Sequence, residues 1–147
     1  RIFSIYEGTT QLQVVAAIRY VTNGTYLGII KEMLEKEVAP EFQALKDRVA
    51  KMVEKYEDAI NYVKAAGNND LHDFLARRLY EMTAEIIMSL LILDDATRAP
   101  ELFAKSANVY VRYAEGTVAG HYAYIKEFKA EDLADFLAAT PEEAPAE

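Results

Sequence analysis

The longest regular apolar pattern in this sequence lies between Glu41 and Ala66. Seven apolar residues recur there, mostly at spacings of three and four: Leu45, Val49, Met52, Val53, Tyr56, Ile60 and Val63. Such spacings place side chains on one face of an α-helix, whereas a half-buried strand would alternate every second residue. No segment alternates convincingly in that way. The sequence therefore predicts an all-α protein.

Further segments show the same helical periodicity. The predicted helices run from about Thr10 to Val21, Tyr26 to Val38, Glu41 to Ala66, Asp70 to Thr97, Pro100 to Ile125, and Ala130 to Ala138. Residues that stop or cap helices lie between them, namely Asn23-Gly24, Gly67-Asn68 and Ala99-Pro100. Gly116 and Gly120 are expected to weaken the fifth helix midway. Long helices joined by short turns pack as antiparallel neighbours, which predicts an up-and-down antiparallel bundle of four to six helices.

Composition excludes several classes of site. The chain of 147 residues has 24 acidic and 16 basic residues and a net charge of −8, which argues against nucleic-acid binding. It has no cysteine, so disulfides, thiolate metal sites and cysteine nucleophiles are excluded. That composition fits a reducing cytoplasm. The longest apolar run, Ile86–Leu93, is far shorter than the roughly 20 residues of a membrane span, so we expect no membrane insertion.

The segment Ile5-Tyr6-Glu7-Gly8-Thr9-Thr10-Gln11 carries the most specific chemical signal. It places a carboxylate on a flexible corner beside the start of a helix, whose positive end attracts negative charge. Thr10 and Gln13 have the spacing of a capping box. A carboxylate in apolar surroundings gains basicity, because burial raises its pKa. Ile5 and Tyr6 would supply such surroundings to Glu7.

This segment resembles the part of acyl-CoA dehydrogenases that carries their catalytic base. Ile5, Tyr6, Glu7, Gly8, Thr9, Gln11 and Gln13 match the family pattern, with Thr10 at its variable position. The resemblance implies that Glu7 removes the α-proton of an acyl-CoA substrate and that Gly8 lies against that substrate. It implies that Thr9, Thr10 and Gln11 contact FAD. It also implies oxidation of a CH–CH bond in fatty acid metabolism, transfer of electrons to an electron-transfer flavoprotein, and a homo-oligomer, either a dimer or a tetramer.

The resemblance also implies a division of the chain. Residues 1–25 would end the catalytic domain, residues 26–139 would form a helical C-terminal extension, and residues 140–147 would be a disordered acidic tail. The sequence opens on Arg1, close to its most chemically suggestive loop, so we expect an excised C-terminal piece of a larger enzyme. The flavin-binding sheet, most of the acyl pocket and the CoA contacts would lie upstream. Such a fragment should bind FAD poorly and should be inactive by itself.

The alternative is a non-enzymatic helical interaction or oligomerisation module in which Glu7 is only a turn residue. Membrane tethering by the bundle, a third possibility, would need an exposed face that is both apolar and basic, and the acidic net charge argues against it.

The two histidines, His72 and His121, form no Glu-x-x-His pair, so the di-iron signature is absent and no metal site is predicted. We expect each to be a helix-cap or interface histidine. Arg77-Arg78 and Glu57-Asp58 are predicted to lie on solvated helix faces, with Asp58 spaced for an ion pair with Lys55.

The fifth predicted helix carries a mixed set of apolar residues rich in tyrosine. Its members are Leu102, Phe103, Val109, Tyr110, Tyr113, Val118, Tyr122, Tyr124 and Ile125. These side chains could line an acyl channel or a partner surface. More often, tyrosines of this kind are core residues whose hydroxyls reach the rim, and this is the arrangement that we expect here.

Overall fold

The computed structural model describes residues 21–136 of the 147-residue chain. We number its α-helices α1 (Thr25–Leu34), α2 (Gln43–Ala66), α3 (Asn69–Arg98) and α4 (Pro100–Glu127). Two short 3-10 helices, Pro40–Phe42 and Ala130–Asp135, flank the longer ones. Residues 21–136 include no β-strand, so the predicted all-α class is confirmed. Of the helix predicted from Thr10 to Val21, only Val21 lies within the described residues, and it is helical together with Thr22.

Local chemistry sets the ends of the long helices. Gly67 follows α2 with φ at +60°, in the left-handed region that glycine adopts without a Cβ clash. The Asn68 side chain accepts a hydrogen bond from the Leu71 amide and so caps α3. Pro100 occupies the first turn of α4, where a helix does not use the missing N–H. All three boundaries agree with the sequence prediction.

Helix α1 ends at Leu34, earlier than the predicted end near Val38. Its last turn closes with tighter bonds, from the Glu35 N–H to the Glu32 carbonyl and from the Lys36 N–H to the Met33 carbonyl. Ala39 is extended, with φ −57° and ψ 145°, as expected of a residue that precedes proline, and its N–H donates to the Thr97 hydroxyl at 3.2 Å. Pro40 opens the 3-10 turn rather than α2 itself.

The four helices run up and down in chain order. Lys31 in α1 pairs with Glu57 in α2 at 3.1 Å, and the Lys46 ammonium donates to the Lys36 carbonyl, so α1 and α2 are antiparallel. A two-residue turn, 67–68, reverses the chain into α3, and Ala99 alone reverses it again into α4. α2 and α4 therefore run in the same direction on either side of α3. The predicted up-and-down bundle is confirmed.

One hydrophobic core lies where α2, α3 and α4 meet. All seven residues of the predicted α2 seam are buried, and α3 buries an equally regular set: Leu71, Leu75, Leu79, Met82, Ile86, Leu90 and Leu93. In α1 and the turn after it, Ile30 is fully buried, whereas Leu27, Leu34 and Val38 are partly buried against the core. Periodicity therefore identified the inward face of α2 correctly.

Helix α4 departs from the sequence prediction in two ways. It is continuous from Pro100 to Glu127, so Gly116 and Gly120 do not interrupt it. Its buried face consists mainly of small residues: Ala107, Val111, Ala114, Val118 and Ile125. Leu102, Val109 and Tyr113 point outward and are 70%, 72% and 62% exposed. The small inward residues allow α4 to pack closely against α2 and α3, which leaves several of its larger apolar side chains on the surface.

Candidate functional site

The five residues assigned to chemistry by the motif, Glu7, Gly8, Thr9, Thr10 and Gln11, lie outside the described residues. The described residues begin at Val21, ten positions after Gln11. Val21 and Thr22 are followed by Asn23 and Gly24, whose φ of +90° turns the chain into α1. The junction at Val21 and Thr22 is therefore the described site closest in sequence to Glu7.

Tyr56 of α2 binds the junction through its hydroxyl. The side chain is fully buried, and its hydroxyl donates to the carbonyl oxygen of Val21 at 3.3 Å. Val21 is itself 1% exposed and belongs to the core. Burial raises the pKa of Tyr56 to about 12, outweighing the opposite effect of a hydrogen bond with the Thr83 side chain. The phenol thus stays neutral and keeps its donor at ordinary pH.

His72 of α3 binds the same junction from a second side. The Thr22 hydroxyl lies 2.8 Å from the His72 Nε2 atom, and the other ring nitrogen, Nδ1, is 3.5 Å from a carboxylate oxygen of Asp73. His72 lies in the first turn of α3, immediately after the Asn68 cap. The expectation of a helix-cap or interface histidine is confirmed for this residue. Two helices, α2 and α3, therefore hold Val21 and Thr22 against the bundle.

His121 is the centre of a second polar cluster, between α3 and α4. Its Nε2 atom lies 2.9 Å from the Glu81 carboxylate, and its Nδ1 atom lies 3.2 Å from the Arg78 guanidinium. A neutral ring with hydrogen on Nε2 satisfies both contacts, because Nε2 then donates to Glu81 and Nδ1 accepts from Arg78. Burial lowers the pKa of His121, with Glu81 opposing the change and Arg78 adding to it. The neutral tautomer agrees with both observations.

Arg78 is not the solvated residue that the sequence predicted. Its guanidinium carbon lies 3.5 Å from the centre of the Tyr124 ring, a cation–π contact, and the side chain is half-buried beside His121. Arg77 does lie on the exposed face and pairs with Glu81 at 3.2 Å. The cluster is a satisfied interface between helices, and it leaves no free nucleophile or base.

The tyrosines of α4 mostly follow the expected pattern, with hydroxyls reaching the rim. The Tyr110 hydroxyl donates to Glu85 at 2.7 Å, and the Tyr122 hydroxyl donates to Asp58 at 2.6 Å. Asp58 also pairs with Lys126 at 3.0 Å, rather than with Lys55 as its spacing suggested. These bonds tie α4 to its two neighbours. Tyr113 is the exception, because its side chain faces outward.

An open groove of about 580 Å³ lies between α2 and α4. Arg48, Lys51, Lys55 and Arg112 line it, and its single acidic residue, Glu115, is paired with Arg48 at 3.2 Å. The groove is therefore basic although the whole chain is acidic. The groove lies beside the outward-facing apolar residues of α4. This face therefore combines exposed apolar and basic side chains, the combination that a membrane-tethering surface would need.

The described residues contain no cluster of three or more His, Cys, Asp or Glu side chains able to hold a metal ion. In the same part of the chain, no helix combines the length and apolarity needed to cross a bilayer.

Residues 22–133, most of the chain, match the protein family described as "Acyl-CoA dehydrogenase C terminal". The chain belongs to the acyl-CoA dehydrogenase family. The match to this C-terminal family begins at Thr22, the residue that His72 binds, and takes in all four α-helices of the bundle. Family membership therefore rests on the bundle.

A solved structure supports the same assignment. The chain is 37% identical to the acyl-CoA dehydrogenase family protein from Porphyromonas gingivalis, with a TM-score of 0.73. The similarity covers 78% of this chain and 98% of that one. A search of curated protein sequences gave no match.

The contacts at the junction and around His121 were not predicted from the sequence. Thr22 and His72 are 50 positions apart, and Glu81 and His121 belong to different helices. The sequence offered one signal for the His121 contacts. The fourth and fifth predicted helices, which are α3 and α4, were expected to be antiparallel neighbours, so that their central residues lie close together. The rotation of each helix about its axis, which selects the partners, follows from packing in three dimensions.

Proposed function

We propose that this chain is the C-terminal part of an FAD-dependent acyl-CoA dehydrogenase, which introduces a double bond between the α and β carbons of an acyl-CoA thioester. One observation carries the proposal. A seven-position match to the family's catalytic-base segment lies immediately before a bundle of the same family. Either feature alone would be weaker, because the motif could be an ordinary turn and the bundle carries no chemistry of its own.

Glu7 is the proposed α-proton base. The α-proton of a thioester is only weakly acidic, so its removal needs a positioned base and stabilisation of the negative charge that develops on the thioester oxygen. The Glu7 carboxylate supplies the base, and the backbone N–H of the same residue supplies a donor for that oxygen. Gly8 has no side chain and lets the substrate approach the backbone closely.

Thr9, Thr10 and Gln11 are assigned to the cofactor. Their hydroxyl and amide groups are donors of the kind that bind a flavin ring or a pyrophosphate, and the start of a helix adds backbone N–H groups. When bound, FAD supplies the acceptor for the hydride that leaves the β carbon, and an electron-transfer flavoprotein is the proposed partner that reoxidises it. The chain by itself is expected to bind FAD poorly and to be inactive.

The bundle from about residue 26 to residue 139 is proposed to serve packing between domains or subunits. The junction supports this role, because Tyr56 and His72 bind the residues that connect the bundle to the motif segment. The outward apolar side chains of α4 support it as well, since they form a surface that a partner would cover. The same surface would suit a non-enzymatic interaction module, the second candidate, in which Glu7 is only a turn residue.

The deciding experiment measures dehydrogenation by the full-length parent protein with an artificial electron acceptor, over acyl-CoA substrates of increasing chain length. The Glu7→Gln variant keeps the shape of the side chain and removes the base. We expect it to retain the flavin spectrum and to lose roughly 10²- to 10⁴-fold in kcat, the usual contribution of a general base.

Glu41→Gln is the matched control, because it removes the same charge from an exposed glutamate in the bundle. It should leave kcat unchanged. A parent that binds no flavin, or one in which Glu7→Gln and Glu41→Gln are equally active, would leave the interaction module as the better account.

A further inference from the structure

The groove between α2 and α4 is lined by basic side chains that mostly lack an acidic partner. Arg48, Lys51 and Lys55 of α2 line it together with Arg112 of α4. Arg48 is paired with Glu115 at 3.2 Å. The side chains of Lys51, Lys55 and Arg112 form no ion pair or hydrogen bond with any described residue. Three cations therefore have no counter-charge within the described part of the chain.

Exposed basic residues outside the groove are arranged differently. Lys31, Arg77 and Lys126 each lie 3.0 to 3.2 Å from a carboxylate. Lys51 and Lys55 are instead four positions apart on one helix, a spacing at which like charges repel. The chain has 24 acidic and 16 basic residues, so carboxylates outnumber cations. The groove therefore has the charge of a site that takes an anion, and the chain has carboxylates to supply.

The segment that follows the last described residue has the complementary charge. We call residues 137–147 the acidic tail. It contains Glu142, Glu143 and Glu147 and no lysine or arginine. Its three carboxylates match the three unpaired cations of the groove in number. Each of its two prolines favours an extended conformation in the residue before it, and an extended segment is the form that fits along a groove between two helices.

The acidic tail is long enough to reach the groove. The ring of Phe136, the last described residue, lies 5.8 Å from the ring of Phe128, just after the end of α4. The groove residues of α4, within 112–119, lie about 14 to about 24 Å back along the helix, and crossing the helix width of ~10 Å makes these distances about 17 and 26 Å. At about 3.3 Å per extended residue, Glu142 reaches ~20 Å from Phe136 and Glu147 ~36 Å. Both ends of the groove are therefore within reach.

We propose that the acidic tail docks in the groove between α2 and α4 of its own chain, with its carboxylates against the unpaired cations. Tethering selects this occupant, because a short tether holds the tail at an effective concentration on the order of 1 mM beside the groove. The sequence alone predicted disorder for residues 140–147, and the charge of the groove is a stabilisation that the sequence could not show. The proposal rests on the charges of this chain and does not depend on the proposed enzymatic function.

A spin label on the acidic tail of the full chain tests the proposal. The chain has no cysteine, so Ala144→Cys gives a single site for the label, between two of the tail glutamates. At 0.05 M salt the label should broaden the amide NMR signals of Lys51 and Gly116, which line the groove, and leave those of Gly28 in α1 unchanged. At 0.5 M salt, where charges are screened beyond about 4 Å, the broadening should be lost. Groove signals that stay sharp at 0.05 M salt would overturn the proposal.

Charge-neutral variants show whether the groove cations hold the tail. In the labelled chain, Lys51→Gln combined with Arg112→Gln should reduce the broadening at least about threefold, since each exposed ion pair contributes up to about 1 kcal/mol. The matched control combines Lys36→Gln with Lys105→Gln, which removes the same two charges from exposed residues that do not line the groove. It should keep the broadening of the parent. Equal broadening in the two double variants would contradict the proposed contacts.

Neutralising the tail makes the complementary change. A labelled chain with all three tail glutamates changed to glutamine should lose the broadening at 0.05 M salt. These changes lie outside the four helices of the bundle, so the thermal midpoint should change little. A neutral tail that broadens the groove signals as strongly as the acidic one would show that charge does not direct it there.

A free anion is the competing occupant of the groove, and a titration with inorganic pyrophosphate distinguishes the two. If the tail docks, pyrophosphate should bind the neutral-tail variant about two- to tenfold more tightly than the parent, because in the parent it must displace the tail. Equal affinity in the two chains would mean that the groove is open to external anions and would overturn the proposal. None of these measurements uses flavin or substrate, so the result with Glu7→Gln does not bear on them and the two proposals fail separately.

Discussion

The hydroxyl of Thr22 lies 2.8 Å from the Nε2 atom of His72, although the two residues are 50 positions apart in the chain. This bond, with the one from Tyr56 to the Val21 carbonyl, binds the first two described residues to the bundle. Val21 and Thr22 are helical and precede α1, and their partners lie in α2 and α3. The two bonds therefore fix the position of the chain just before α1.

Removing the Thr22–His72 bond should destabilise the protein modestly. Thr22→Val keeps the shape of the side chain and removes its hydroxyl, at an expected cost of about 1 kcal/mol in the free energy of unfolding. Urea denaturation measures it, and a double-mutant cycle with His72→Ala isolates the pair. Thr25→Val is the matched control, because the Thr25 side chain is exposed. A cycle that gives no coupling energy would show that the bond is not formed in solution.

Alkaline pH should act on the buried Tyr56. In the folded protein its pKa is raised to about 12 by burial, against 10.0 for an ordinary tyrosine. The unfolded chain therefore releases this proton first, and stability is lost as pH rises from 10 to 12. The loss attributable to this residue is about 2–3 kcal/mol.

Tyr56→Phe should cost about 1–2 kcal/mol at neutral pH, because the Val21 carbonyl loses its donor. It should also remove this part of the alkaline dependence. The measurement is the difference in unfolding free energy between wild type and variant at several pH values, since the subtraction cancels the other tyrosines. A difference that stays constant from pH 8 to pH 12 would contradict the burial of the phenol.

His121 should titrate below an ordinary histidine. Burial lowers its pKa, whereas the nearby Glu81 carboxylate raises it. Because the folded-state pKa is depressed below 6.5, the unfolded chain takes up this proton first, and the corresponding stability is lost as pH falls below 6.5. Glu81→Gln keeps a hydrogen-bond acceptor and removes the charge, so it should lower the pKa further.

NMR titration of the histidine ring protons measures that pKa directly. The chain has only His72 and His121, so a His72→Asn variant assigns the two signals. Glu131→Gln, a change at an exposed glutamate of the last 3-10 helix, is the control and should not move the titration. An increase in the His121 pKa on Glu81→Gln would mean that the two side chains are not paired.

Two glycines should respond to alanine in opposite directions. Gly67 has φ at +60°, which alanine adopts at a cost, so Gly67→Ala should lower stability by about 1 kcal/mol. Gly116 is helical with open space around it, so Gly116→Ala should raise stability by about 0.5–1 kcal/mol. Thermal unfolding of each variant beside the wild type compares the two. Effects of the same sign would contradict the assigned backbone conformations.

The sequence predicted the parts of this fold that depend on local chemistry. The α2 and α3 seams and the boundaries at Gly67, Asn68 and Pro100 follow from spacing, capping and proline geometry. The extended conformation of Ala39 likewise follows from Pro40, the next residue. In each case the deciding residues are close neighbours in the chain.

Contacts between helices were less predictable. Asp58 pairs with Lys126 rather than Lys55, and Glu81 of α3 binds His121 of α4. Which residues pair depends on how far each helix is rotated about its axis. For α4, small buried residues such as Ala107 and Ala114 determine this rotation. The positions of apolar residues along the α4 sequence therefore could not show that Leu102 and Val109 face outward. The roles of Glu7, Gly8, Thr9, Thr10 and Gln11 remain predictions.

The most direct test of the central claim is the reduction of bound flavin by substrate, without oxygen or any other acceptor. Full-length parent protein and its Glu7→Gln variant are each mixed rapidly with an acyl-CoA, and the absorbance of oxidised flavin is followed. The account predicts fast bleaching in the parent, and at least about a hundredfold slower bleaching in a variant that still binds the substrate. Equal bleaching rates in the two proteins would contradict the assignment of Glu7 as the base.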